Sequence, residues 1–264
     1  MSNIAAAFTG ADGQRTKAFI PFITCGDPSI EVTEQAVLGM ARAGADLIEL
    51  GIPFSDPTAE GPVIQEANIR ALSGGITTDD VFALVKRLRA QGLETPLCFM
   101  TYANVIYSYG MERFVQNAAE AGIDGIILPD VPHEEKPEFS EPFAAAGIDL
   151  VSLIAPTSHE RIREIAADAA GFVYCVSSLG VTGVRSEITT DIGAMVQLVR
   201  QATDVPVAVG FGISTPEQAA AMAGKSDGAI VGSAIVKILA QYGEDAVPYV
   251  VDYVREMAEA VHAV

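Results

Sequence analysis

Eight short apolar runs recur along this chain, separated by segments whose apolar residues return with helical spacing. The runs cover residues 18–24, 46–50, 96–101, 125–128, 149–154, 171–176, 205–209 and 229–231, and each reads as a strand. The intervening pattern is clearest at Val32, Ala36, Val37 and Met40, and again at Val81, Phe82, Val85 and Leu88. Those positions share one face of a helix. Gly44, Gly92, Gly122 and Gly147 stand just beyond the helical segments, where a helix is commonly terminated. Strict strand-then-helix alternation implies parallel strands. Eight such units favour a closed (β/α)8 TIM barrel over an open α/β sheet. No low-complexity linker or shift in composition divides the chain, so residues 1–264 read as one domain. The first dozen residues are expected to add a helix that caps one end of the barrel.

The second run carries the first chemical signal. Alternation puts Leu47 and Glu49 on one face of the strand and Ile48 and Leu50 on the other. A carboxylate among such neighbours is expensive to desolvate. Directly after it comes a loop stiffened by Pro53 and Pro57 and punctuated by Gly51 and Gly61. A lone carboxylate at a strand end, beneath a constrained loop, sits where barrel enzymes place their chemistry.

Composition narrows the setting. No apolar run reaches the roughly 20 residues that span a bilayer, and the start of the chain lacks the basic and apolar pattern of a secretory signal. Cys25, Cys98 and Cys175 are far apart with no CxxC spacing, which points to reduced thiols in a cytoplasmic protein and to no metal site. A formal charge of −18 argues against nucleic acid and anionic membrane surfaces as partners. It also means that an anionic substrate must be held by local backbone donors.

The strand ends supply candidates. Gly183, Gly212 and Gly232-Ser233 follow the last three strands, each near the start of a helix. Glycine lets the main chain approach a ligand, and N–H groups at helix starts favour an anion. Three consecutive ends of this kind point to a phosphate site rather than to three separate turns. Elimination helps further. None of the five lysines lies within an expected strand, which disfavours a Schiff-base aldolase, and His133, His159 and His262 have no ligand-like spacing. Carboxylate acid/base chemistry remains, with Tyr174 or Tyr102 as possible assistants.

At this point the residues resemble a family. Phe22-Ile23-Thr24-Cys25-Gly26-Asp27-Pro28, Glu49-Leu50-Gly51-Ile52-Pro53-Phe54-Ser55-Asp56-Pro57 and Gly61-Pro62-Val63-Ile64-Gln65 look like the motifs of the tryptophan synthase alpha subunits. Tyr102-Ala103-Asn104, Asp130-Val131-Pro132, Val181-Thr182-Gly183, Gly210-Phe211-Gly212-Ile213-Ser214 and Gly232-Ser233-Ala234-Ile235-Val236 continue the likeness in order. The strand-two motif is highly specific, whereas the glycine motifs are shared with other phosphate-binding barrels.

The resemblance implies retro-aldol cleavage of indole-3-glycerol phosphate to indole and glyceraldehyde 3-phosphate. It implies no cofactor in this chain, and a beta subunit that receives the indole and condenses it with serine on pyridoxal phosphate, in an alpha2-beta2 assembly. Glu49 would be the proton shuttle, its pKa raised by apolar surroundings. Phe22, Met100, Ile127, Tyr174 and Phe211 would line the indole pocket, although each also suits ordinary barrel core. Gly183, Gly212, Gly232 and Ser233 would hold the phosphate, and Thr182 would help close a loop over Glu60. Pro53, Asp56, Pro57 and Asn104 would face the beta subunit. One departure stands out: the family's second catalytic carboxylate is usually the aspartate of an Asp-Gly-Pro sequence, and this chain has Glu60-Gly61-Pro62. That carboxylate would accept the indole N–H and stabilise the charge that develops there. Without the family, Glu60 would read as an exposed loop residue. Two other readings stay open: a free-standing phosphosugar lyase, and a barrel that binds substrate and activates a partner but cleaves little.

Overall fold

A computed structural model describes residues 3–10, 12–176, 191–210 and 212–264. Eight parallel strands close into a barrel in chain order: β1 (Ala18–Thr24), β2 (Ile48–Gly51), β3 (Leu97–Met100), β4 (Gly125–Ile127), β5 (Asp149–Ile154), β6 (Val173–Val176), β7 (Val207–Gly210) and β8 (Gly228–Val231). The helices around them are α1 (Ile30–Arg42), α2 (Pro62–Ser73), α3 (Thr78–Ala90), α4 (Ala103–Tyr109), α5 (Met111–Ala121), α6 (Lys136–Ala145), α7 (His159–Ala167), α8 (Ile192–Arg200), α9 (Pro216–Ala223), α10 (Ser233–Tyr242) and α11 (Val247–His262). The TIM barrel expected from the alternation is therefore the fold.

Strand alternation divides the core into two layers. Ile48, Leu50, Phe99, Ile126, Val173 and Val209 point outward and pack with the helices, as in the cluster that joins them to Val37, Val85 and Phe114. Ile20, Phe22, Leu47, Met100, Ile127, Val151, Tyr174 and Ile230 fill the interior. Helix starts are set by side-chain caps: Ser29 accepts from the Val32 N–H, and Thr77 and Asp80 form a reciprocal capping box on α3. Each such cap contributes about 1 kcal/mol.

The N-terminal element is smaller than the sequence pattern implied. It is a 3₁₀ helix over Ile4–Phe8, with Ile4, Ala7 and Phe8 buried against the lower interior of the barrel. A Thr9–Arg15 antiparallel bridge follows it, and Gly13 turns the chain at φ +78°, so the helix has no room to continue. Phe8 meets Phe172 at a ring-centroid distance of 5.9 Å, and this segment closes the mouth at the N-terminal ends of the strands.

Candidate active site

The opposite mouth, at the C-terminal strand ends, gathers the acidic residues that the sequence singled out. Glu49 lies on β2 level with Phe22 of β1 and Cys98 of β3, and all three point into the barrel. It is 1% exposed, and its Oε1 is buried with no hydrogen-bond partner. Among the described residues no cation pairs with it. Burial alone pushes its pKa up to about 8. At neutral pH this carboxyl is largely protonated and able both to give and to take a proton.

The aromatic residues beside it depend on two glycines. A Cβ on Gly51, at the end of β2, would lie 2.7 Å from Cζ of Phe22. One on Gly210, at the end of β7, would lie 2.6 Å from Oη of Tyr174. Each glycine leaves the space that a ring occupies, so Phe22 and Tyr174 lie inside the barrel at the level where Glu49 ends. Met100 and Ile127 are level on β3 and β4. A cavity of about 490 Å³ opens at this mouth, with Ala59, Met100, Pro129, Val151, Leu153 and Val176 among its walls.

Glu60 is not an exposed loop residue. The loop leaves β2 through the Ile52 N–H, which donates to the Met100 carbonyl at 3.0 Å, and Phe54 then packs on Tyr102 at 5.2 Å between centroids. Tyr102 Oη accepts the Ala59 N–H at 3.2 Å and is also hydrogen-bonded to the Glu60 carboxyl. From α2, Gln65 Nε2 donates to the Glu60 carbonyl at 2.8 Å and Asn68 Nδ2 donates to Oε2 at 2.7 Å. Glu60 is 5% exposed. Burial pushes its pKa up to about 7, against the opposing hydrogen bonds from Asn68 and Tyr102.

Asn68 escaped the sequence reading, yet a signal was present. Ile64, Ala67, Asn68 and Ala71 form the buried stripe of α2, and an amide within an apolar stripe needs a partner. Arg70 of the same helix grips Asp27, which is 0% exposed, through two hydrogen bonds of 2.7 Å. One helix thus braces the loops after both β1 and β2.

The remaining candidates fall into place unevenly. Gly212 (φ +80°), Gly232 and Ser233 are half-buried after β7 and β8, and α10 begins behind Gly232 with no side-chain cap on its first N–H groups. Ser214 is pinned by Gln218 Oε1 at 2.8 Å and Tyr253 at 2.9 Å, which fixes the turn after β7. Thr182, Gly183 and Phe211 lie outside the described residues. Asp56 and Asn104 are exposed and Pro57 is half-buried, whereas Pro53 is buried and offers no surface to a partner because it continues directly from the packed end of β2. Asp130 accepts the Ala103 N–H at 3.2 Å and so ties the turn after β4 to the start of α4. Lys136 is the one buried lysine among the described residues, but it lies on α6, bound to Ser152 at 3.1 Å and Asp168 at 3.0 Å. Among the described residues, no group of three or more His, Cys, Asp or Glu side chains could hold a metal ion, and no helix is long and apolar enough to cross a membrane.

Fold and site together define a TIM barrel with two buried carboxyls, Glu49 and Glu60, both pushed toward the neutral form, at its C-terminal mouth. A family model for the tryptophan synthase alpha chain matches residues 8–262. The chain is 49% identical over 245 residues to the tryptophan synthase alpha chain of Halalkalibacterium halodurans, covering 93% of this chain and 91% of that one. It is 43% identical over 263 residues to that of Lacticaseibacillus casei, covering 100% and 97%. The crystal structure of tryptophan synthase subunit alpha from Legionella pneumophila superposes with a TM-score of 0.91 at 38% identity, covering 100% of both chains. A chain of the Pyrococcus furiosus tryptophan synthase complex superposes with a TM-score of 0.85 at 36% identity, covering 92% of this chain and 98% of that one. The protein belongs to the tryptophan synthase alpha chain family. It is an enzyme subunit of tryptophan biosynthesis, and chains of this family work with a beta subunit.

Proposed function

We propose that this chain cleaves indole-3-glycerol phosphate by a retro-aldol reaction, with Glu49 as the proton shuttle and Glu60 as the acceptor of the indole N–H. Protonated Glu49 gives its proton to indole C3, and positive charge appears on the ring nitrogen beside the Glu60 carboxylate. The carboxylate left on Glu49 then takes the proton of the adjacent glycerol hydroxyl. The oxygen forms the aldehyde carbonyl, the carbon–carbon bond breaks, and its electron pair restores the aromatic ring. Indole and glyceraldehyde 3-phosphate are released with Glu49 protonated again. A carboxyl poised near neutrality suits both transfers.

Phe22, Met100, Ile127, Tyr174 and Phe211 would enclose the indole. Backbone donors at Gly183, Gly212, Gly232 and Ser233 would hold the phosphate, which explains how an acidic chain binds an anion. The exposed surface at Asp56 and Asn104, with Pro57, would meet the beta subunit in an alpha2-beta2 assembly in the cytoplasm. Thr182 would help order the loop after β6 over Glu60 when substrate binds. Pyridoxal phosphate would be held by the beta subunit, where indole is condensed with serine.

The observation that carries this reading is Glu49: a buried carboxyl on β2 whose Oε1 has no hydrogen-bond partner among the described residues, in a chain of this family. Indole release from indole-3-glycerol phosphate, with and without a saturating beta subunit, tests it. The chain has no tryptophan, so indole fluorescence rises over a weak protein background. Partner-stimulated release is expected. Activation of the beta subunit with no indole release would make the chain an activating module instead.

A further inference from the structure

We propose that Asn68 is a positioning residue for Glu60, and that it fits the catalytic loop to a glutamate. The inference rests on the lyase reading above and concerns the same site. Glutamate is one methylene longer than aspartate, and a displacement of roughly 1 Å can cost about 10²-fold in rate. Something must fix where the longer side chain ends. Glu60 is held at both ends from α2: Gln65 takes its carbonyl at 2.8 Å and Asn68 takes Oε2 at 2.7 Å. Tyr102 reaches the same carboxyl from the segment after β3. Asn68 is itself 3% exposed and sits between Ile64, Ala67 and Ala71 on the apolar stripe of α2. An amide there would be costly without a partner, and the Glu60 carboxylate is that partner. The bond has a second consequence. A donor aimed at a carboxylate favours its ionised form, the form that accepts an N–H, and so opposes the effect of burial.

The test is a double-mutant cycle on the complex with saturating beta subunit, read as kcat and KM for indole release across pH. Asn68→Ala is expected to lower kcat about 10-fold with less than about twofold change in KM, because orientation of the acceptor is lost while the pocket remains. The acid limb of kcat moves to higher pH as Glu60 becomes harder to ionise. In a Glu60→Asp background the shorter carboxylate no longer reaches Asn68, so Asn68→Ala should cost less than about twofold. Asn68→Asp keeps the shape of the side chain and serves as a second variant should Asn68→Ala melt prematurely. A second carboxyl at that point moves the acid limb further up. Equal losses in the two backgrounds, or an unshifted acid limb in both variants, would overturn the role of Asn68 while leaving the lyase intact. A wild-type complex that releases no indole would overturn the lyase reading and this inference with it.

Discussion

The two mouths of the barrel hold the same residue types to opposite ends. At the N-terminal mouth, Asp46, Asp124 and Asp227 are consumed by partners. Asp124 accepts the Leu97 N–H at 3.0 Å and Arg89 at 2.8 Å, and Asp227 accepts the Val207 N–H at 2.9 Å and Arg200 at 2.9 Å. Asp46 accepts the Phe19 N–H at 2.7 Å and meets His262 at 2.7 Å. Each of these side chains clasps an amide at the start of the preceding strand and a basic side chain from a helix. At the C-terminal mouth, among the described residues, Glu49 has no cation and Glu60 has only neutral donors, and both carboxyls are driven toward neutrality. One mouth uses its carboxylates to hold strands in register, and the other keeps them buried without a counter-charge among the described residues, at a cost in stability. This is the division of labour expected of a barrel enzyme.

Substitutions at the two mouths should therefore give opposite signatures. The largest effect is expected for Glu49→Gln, which keeps the shape and removes the exchangeable proton. Indole release should fall about 10³-fold, equivalent to about 4 kcal/mol of barrier, with steady-state kinetics in the complex as the check. At the other mouth, Asp124→Ala leaves the Leu97 N–H without its acceptor and Arg89 without its counter-charge, and should cost about 3 kcal/mol in urea unfolding. Its kcat per folded molecule should stay within about twofold of wild type, because the change is remote from the chemistry.

Glu49→Gln should also raise stability. A carboxyl with a folded pKa of about 8 keeps a proton that the unfolded chain releases near pH 4.3. Wild-type stability contributed by this group thus falls as pH rises between those two values, and the glutamine variant escapes the loss. Relative to wild type, the variant's gain should be greatest near pH 8 and fall steadily toward pH 4 in denaturation at a series of pH values, superposed on a cost of burying the amide that does not vary with pH. The smallest effect belongs to His262. Its bond to Asp46 raises its pKa against partial burial. Its stabilisation is therefore complete below the unfolded value of about 6.5 and is lost as pH rises through the folded one. With the imidazole 39% exposed, His262→Gln should cost less than about 1 kcal/mol at pH 6, and nothing once the wild-type histidine is neutral.

Legibility in the sequence followed the range of the forces involved. β1 and β5 begin and end at the expected residues. β6 starts at Val173 rather than Gly171, since that glycine turns at φ +67° before the ladder begins. β7 starts at Val207 because Pro206 has no N–H to give. That Glu49 shares a face with Leu47 was readable from strand alternation alone, although both faces of β2 are buried. The setting of Glu60 was not: it depends on Tyr102, far along the chain after another strand, and on α2 lying across the mouth. The clasps of the N-terminal mouth were hidden for the same reason, since Asp124 is paired with Arg89 from a different helix. Patterns of period two or 3.6 reveal which way a side chain points. They do not reveal which distant donor waits there.

The most direct test of the contrast between the mouths is the titration of Glu49 itself, followed by the side-chain carboxyl carbon in protein labelled at glutamate, with Glu49→Gln supplying the assignment. One glutamate resonance, missing in the variant, is expected to titrate near pH 8. A Glu49 resonance that titrates near pH 4.3, as an unperturbed glutamate does, would show an ionised carboxylate at neutral pH and contradict the account.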